Sequence, residues 1–163
     1  MKRTIFAAFV LIATAFPAEA ACTDPAQPKA AWRRCYFDGG ELAGADLSGA
    51  ELRDATFSRA NLKDAILIEA DAYRAKFVSA IMQAVKFDRA RLIEADFTRA
   101  ELDGASLRDA DLRNAKLVGA SLKRADFTGA KLGGADFRHA DLSGATWIDG
   151  KKICGENSLG QCN

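Results

Sequence analysis

Residues 95–129 read ADFTR AELDG ASLRD ADLRN AKLVG ASLKR ADFTG, blocks of five that each open on alanine and carry leucine or phenylalanine third. The pattern runs well beyond this stretch. A large apolar residue falls on every fifth position from Leu42 through Leu47, Leu52 and Phe57 to Leu142 and Trp147, and Ala72 is its one small member. Two residues before each member from Leu47 onward stands an alanine, with Val85 the single exception. A step of five fits neither regular element. A helix turns about 100° per residue, so its large residues would spiral around the axis. A strand alternates faces, so they would fall on opposite sides in turn. A chain that turns a corner every five residues keeps them all on one side. The alanine and the large residue, two apart on a short extended stretch, then both point inward. The inner alanine is a steric demand, because a tight coil has room for one large side chain per edge.

The units A-D-L-S-G, A-E-L-R-D, A-N-L-K-D, A-D-L-R-N and A-D-F-T-G closely resemble the A-(D/N)-L-x-x consensus of the pentapeptide-repeat family. The resemblance implies an all-β fold: a right-handed, four-sided β-helix, or solenoid, with four pentapeptides per coil and about 22 units here. Four sides predict coupling at a spacing of 20. Phe37, Phe57, Phe77, Phe97 and Phe137 lie on that spacing, interrupted by Leu117, while Phe87, Phe127 and Trp147 lie on the column two sides away. Outward positions agree, since Lys76, Asp96, Lys116 and Asp136 alternate in sign at the same interval, as do Asp71, Arg91, Asp111 and Lys131.

Around the repeats the chain is punctuated. Lys2 and Arg3, an apolar run from Ile5 to Phe16, Pro17 and the A-x-A site Ala18-Glu19-Ala20 form the three-part layout of a secretory signal peptide. The apolar run is too short to span a bilayer comfortably. The expected organisation is therefore a signal peptide over 1–20, an N-terminal cap over 21–41, repeats over 42–147 and a C-terminal cap over 148–163. The mature chain is expected in the periplasm or secreted, with no transmembrane segment. The run Ala30 to Cys35 is compatible with one or two helical turns, and Trp32 is placed to cover the first coil. Four cysteines, Cys22, Cys35, Cys154 and Cys162, all lie outside the central region. They allow three pairings; proximity favours Cys22–Cys35 and Cys154–Cys162, one staple at each end, in keeping with an oxidising compartment. The terminal W-x-D-G-x-x-x-C and S-x-G-x-C pattern resembles that of exported family members.

Chemistry is scarce. The chain has 163 residues, one histidine and two tyrosines, and Lys+Arg (23) nearly balances Asp+Glu (22). His139 sits at an outward position and reads as a solvated surface residue. No catalytic residue, metal ligand set or cofactor is assigned, and an enzyme is not expected. Relatives that mimic DNA and bind topoisomerases do so through an acidic rod, whereas this composition is neutral, which argues against mimicry; the same charge balance means that nucleic acid is not an expected partner. Apolar residues do occupy positions that should face water: Ile66, Ile68, Tyr73, Val78, Ile81 and Ile93. They are the candidate interaction patch, because contiguous exposed apolar surface marks contact sites; the alternative is a local packing repair in which Tyr73 folds back over the space left by Ala72. A protein or envelope component and a second copy of the chain fit this patch equally. The expected function is an exported, non-catalytic scaffold or protein-binding module; the alternative is a DNA-mimic inhibitor or protector of a topoisomerase.

Overall fold

A computed structural model describes residues 22–163. The signal peptide assigned to 1–20 lies outside the described residues. From Ala31 onward the backbone repeats one five-residue cycle. Its first residue bridges to the residue twenty further on, its second points into the core, its third and fourth make a tight turn, and its fifth is the inward alanine. The turn is closed by the alanine amide donating to the carbonyl of the large residue, as from Ala55 to Leu52 at 3.1 Å. The fourth residue takes the left-handed conformation in cycle after cycle, at φ 56° in Asp54, 57° in Arg74 and 58° in Glu94. Glycine takes that place at Gly39, Gly44, Gly104 and Gly119. A non-glycine residue there costs roughly 1–2 kcal/mol. Its amide offsets part of the cost by donating to the next coil, as from Asp54 to the Tyr73 carbonyl at 3.0 Å.

The expected all-β class and the β-helix, or solenoid, are corrected by this backbone: each coil has four sides, but the sides are not strands. Among the described residues there is no β-strand, no sheet and no helix. Bridges recur instead as isolated single residues, all parallel and twenty apart, from Ala31↔Glu51 to Asp126↔Thr146. The physical reason is the corner. A ladder lengthens only while consecutive residues stay extended, and here the chain enters a turn two residues after each bridge, before a second consecutive pair forms. The expected helical turns near Ala30–Cys35 are absent for the same reason, since this segment already follows the five-residue cycle. Trp32 occupies an inward position two residues after Ala30, and its amide donates to the Glu51 carbonyl at 2.9 Å.

Register at a spacing of twenty is set by packing as well as by the backbone. Phe37, Phe57, Phe77 and Phe97 stack in one column, with centroids 5.3, 5.2 and 5.0 Å apart. Phe87, from the opposite side, meets Phe77 and Phe97 edge-on at 5.8 and 5.9 Å. The two aromatic columns therefore touch across the core. The inward alanines and large residues from Leu47 to Phe127 are buried, Ala72 and Val85 included.

The two ends are closed differently. Cys22 bonds to Cys35, whose own residue is fully buried beside Trp32. At the other end the chain reverses and forms antiparallel bridges, Thr146↔Ile153 and Asp141↔Leu159, and the Cys154–Cys162 disulfide closes the final loop. Ser158 is buried there, its hydroxyl donating to the Gly155 carbonyl at 2.8 Å. The pairing favoured by proximity is thus the one present.

Phe77 touches three rings and is fully buried, whereas Phe37 near the N-terminal end is partly exposed. Phe77→Ala is expected to cost about 3–5 kcal/mol of stability, and Phe37→Ala measurably less. Urea unfolding of both variants checks the ranking. Equal losses would mean that the column does not set the core.

Candidate interaction surface

The coil has four sides, which we number by their first residues: side one holds the units beginning at 31, 51, 71, 91, 111 and 131. Side two holds those at 36, 56 and so on, side three those at 41 and 61, side four those at 46 and 66. This numbering decides where the six apolar residues of the sequence reading fall. Tyr73 and Ile93 stand on side one, Val78 on side two, Ile81 on side three, and Ile66 and Ile68 on side four. The structure brings Tyr73 and Ile93 onto neighbouring coils, the Ile93 carbonyl accepting the amide of Arg74. The six are otherwise spread around the coil. Ile81 is the most exposed of them at 38%, while the other five are half-buried. More exposed apolar residues lie elsewhere: Tyr36 at 83% on side two, and Ile148, Ile153 and Leu159 at the C-terminal end.

Tyr73 is the centre of the most organised constellation on the surface. Its ring lies 4.9 Å from the Arg91 guanidinium, 5.8 Å from that of Arg53 and 6.0 Å from that of Arg74. Such contacts are worth about 0.5–1 kcal/mol each at exposed sites. Asp71 holds two of these arginines, Arg53 at 2.8 Å and Arg91 at 3.2 Å. Arg74 lies between Asp54 at 3.7 Å and Glu94 at 3.8 Å, and the Tyr73 hydroxyl donates to Glu94 Oε1 at 3.4 Å. Three guanidiniums face three carboxylates around one phenol. The stack explains the assembly: residues 51–54, 71–74 and 91–94 are superposed by the bridges Glu51↔Asp71 and Asp71↔Arg91. Beside the cluster, at the corner between sides one and two, runs a cleft of about 440 Å³. Asp54, Arg74, Glu94 and Asn114 form one rim, and Lys76, Asp96 and Lys116 the other.

The charge ladders expected from alternating signs are present as stacked neighbours, Lys76↔Asp96 and Asp111↔Lys131 among them. Most carboxylates at the first position of a unit are nevertheless taken by a residue two places on. Asp96 accepts from the amide and hydroxyl of Thr98, Asp141 from those of Ser143, and Asp111 and Asp136 pair with Arg113 and Arg138. The signal was in the sequence as Asp-x-Ser, Asp-x-Thr and Asp-x-Arg, a local pairing that competes with cross-coil contacts. A second diagonal links the third residue of one unit to the first residue of the unit one coil on, as in Arg53–Asp71 and Arg108–Asp126. His139 is exposed in a left-handed turn at φ 60°. Among the described residues, no three of His, Cys, Asp and Glu are grouped to hold a metal ion. No helix among them is long and apolar enough to cross a membrane.

Repeats, core and paired terminal cysteines together identify the family. The Pentapeptide repeats family matches in 8 copies, over residues 33–67, 45–83, 55–92, 75–114 and 105–144. The chain belongs to the pentapeptide-repeat family and, as a member of it, is non-catalytic. Among solved structures it is similar to full-length QnrB1, a plasmid-mediated fluoroquinolone resistance protein, at 26% identity and TM-score 0.47, over 69% of this chain and 62% of that one. A trypsin-treated variant of QnrB1 gives 29% identity and TM-score 0.42, over 69% of this chain and 60% of that one. HetL, a pentapeptide repeat protein involved in heterocyst differentiation regulation from the cyanobacterium Nostoc, gives 24% identity and TM-score 0.34, over 76% and 90%. The chain thus spans about 60% of the length of the QnrB1 chains it matches. No curated protein matches it.

The paired carboxylates make acid sensitivity predictable. The Arg113 guanidinium holds the Asp111 carboxyl below the ordinary carboxylate range, that of Arg138 does so for Asp136, and the Ser143 hydroxyl does so for Asp141. Each group therefore binds protons less readily folded than unfolded. Its stabilisation is complete above the unfolded value near 3.9 and is lost as pH falls through the depressed folded value. The melting temperature is expected to hold from pH 7 to about 5 and to drop below about pH 4. A rise on acidification would contradict the pairing.

Proposed function

We propose that this chain is an exported, non-catalytic protein-binding module, with the Tyr73 cluster on side one as its contact centre. The observation that carries this reading is the ring of Tyr73 set among Arg53, Arg74 and Arg91 on a rigid, half-buried lattice. Tyrosine and arginine are the residues most enriched where protein interfaces concentrate their binding energy. Here they are already positioned, so little ordering remains to oppose association. The charged groups around the ring are mutually compensated, which suits a partner surface of mixed polarity. The same compensation weighs against charge mimicry of DNA, the alternative reading. Side one reads Glu51, Asp71, Arg91, Asp111 and Lys131 down its first positions, and side two reads Lys76, Asp96, Lys116 and Asp136. Neither offers the unbroken negative row that a duplex presents.

A photo-crosslinking residue at position 73, in the full chain expressed in its own cell, tests the proposal. A discrete adduct with one envelope or secreted protein is expected, diminished by Arg53→Ala and Arg91→Ala and absent from a control at Lys63 on side three. Labelling of the same proteins from both positions would refute the contact centre. Stoichiometric inhibition or protection of a type II topoisomerase in a supercoiling assay would favour the alternative.

A further inference from the structure

Throughout the stack, the second and fourth residues of each unit donate their amides to the next coil. This holds at every such position from Trp32 and Arg34 to Phe127 and Gly129. It fails at one place. The C-terminal segment closes sides three and four of the last coil, taking the amides of Leu142, Gly144 and Trp147 on the carbonyls of Ser158, Cys154 and Lys152. The Gly160 amide reaches the Ala140 carbonyl, and Gly160 itself lies against the Phe137 carbonyl and the His139 amide at the end of side two without bonding that amide. On sides one and two the amides of Leu132, Gly134, Phe137 and His139 have no acceptor among the described residues, and the carbonyls of Ala130 and Ala135 receive no donor. The core beneath is open in the same place: Leu132, Ala135 and Phe137 are only partly buried, unlike their counterparts one coil earlier, Leu112, Ala115 and Leu117.

We propose that this half-capped edge, Ala130 to Ala140, binds an acidic segment of a partner protein, which winds along it as half of a seventh coil. The proposal rests on the protein-binding reading above and places a second contact on the same molecule. Backbone pairing along a free edge supplies affinity in such additions, and flanking side chains supply selectivity. Two observations fix the chemistry of the occupant. The edge offers four donors against two acceptors, the complement of what the backbone of a segment in the five-residue cycle supplies. Its outward charges are Lys131, Arg138 and Asp136, and Asp136 is already held by Arg138 at 2.7 Å, which leaves positive charge in excess. The corner at Gly133–Gly134 requires the occupant to turn as the chain itself does, with glycine, asparagine or aspartate at its fourth residue. A coaxial second copy does not fit, because residues 152–158 already occupy the next level on sides three and four.

The probe is the blocked decapeptide Glu-Leu-Ala-Gly-Ala-Asp-Leu-Ser-Gly-Ala, which copies residues 41–50, and the readout is amide hydrogen exchange by NMR on the protein. In the free protein Leu132, Gly134, Phe137 and His139 are expected to exchange about a hundredfold faster than Leu112, Asn114, Leu117 and Gly119. The peptide should slow those four amides about tenfold or more and leave the sides unchanged. Its Gln/Asn counterpart, or a Lys131→Ser protein, should bind about fivefold more weakly. Serine stands at the equivalent position in Ser106 and Ser121, so that variant keeps the fold. Slow exchange without peptide, no protection at about 1 mM peptide, or protection elsewhere would each overturn the proposal. Protection that grows with protein concentration alone would assign the edge to self-association instead. Failure here would leave the Tyr73 reading standing, since crosslinking from position 73 does not involve this edge.

Discussion

One residue in five with a positive φ governs the molecule. It turns the chain sharply enough that each coil closes in twenty residues, and it limits every coil-to-coil contact to a single bridge. The strain at each corner is small but repeated, and it is sustained because the strained amide is also a donor to the coil above. Backbone hydrogen bonding and side-chain stacking therefore enforce the same period. Neither would suffice alone: isolated bridges hold little extended backbone, and a phenylalanine column needs a frame that repeats within its ring spacing.

Much of this was legible in the residues. The inward series, its alanine companion and the coupling at twenty follow from spacing, because a tight coil tolerates only one large group per edge. The absence of strands was less accessible. Side-chain pattern reports which way residues point, and it does not report how many consecutive residues stay extended before a corner. Trp32 was readable in principle, since Ala30 and Cys35 stand two residues before Trp32 and Phe37, as alanines do elsewhere. An expectation of helix there followed local propensity, and tertiary pairing overrode it. The scattered apolar residues make the opposite point. Dividing their numbers by the twenty-residue period separates Ile66, Val78 and Ile81 onto different sides, so the period already contained the answer. The arginine setting of Tyr73 required coordinates, because three long side chains from three coils converge by rotamer choice and not by spacing.

A non-catalytic function fits this architecture for a physical reason. Catalysis requires groups that converge on one point from different directions, and a chain that repeats every five residues sends its outward side chains along parallel rows. Rows suit recognition. They hold side chains at fixed intervals on an unyielding frame, so a partner of matching spacing binds with little ordering on this side of the interface. Tyr73 and its arginines are such a fixed grouping, drawn from three successive coils.

The ends carry information that the rows lack, because only there does the repeat stop. The N-terminal disulfide ties Cys22 to Cys35, in the unit that carries Trp32. The C-terminal segment treats the four sides unequally: it reverses to pair with sides three and four and leaves sides one and two with donors facing outward. A segment selected only to protect the core would gain most by covering Leu132 and Phe137, the two large inward residues of the last coil that stay partly exposed on the open sides. It instead pairs over Leu142, which is fully buried beneath it, and a disulfide ties Cys154 to Cys162 within it. Partly exposed apolar core and unpaired amides lie on the same two sides, and a chain in the same five-residue cycle, with a large apolar residue at its second position, meets both at once.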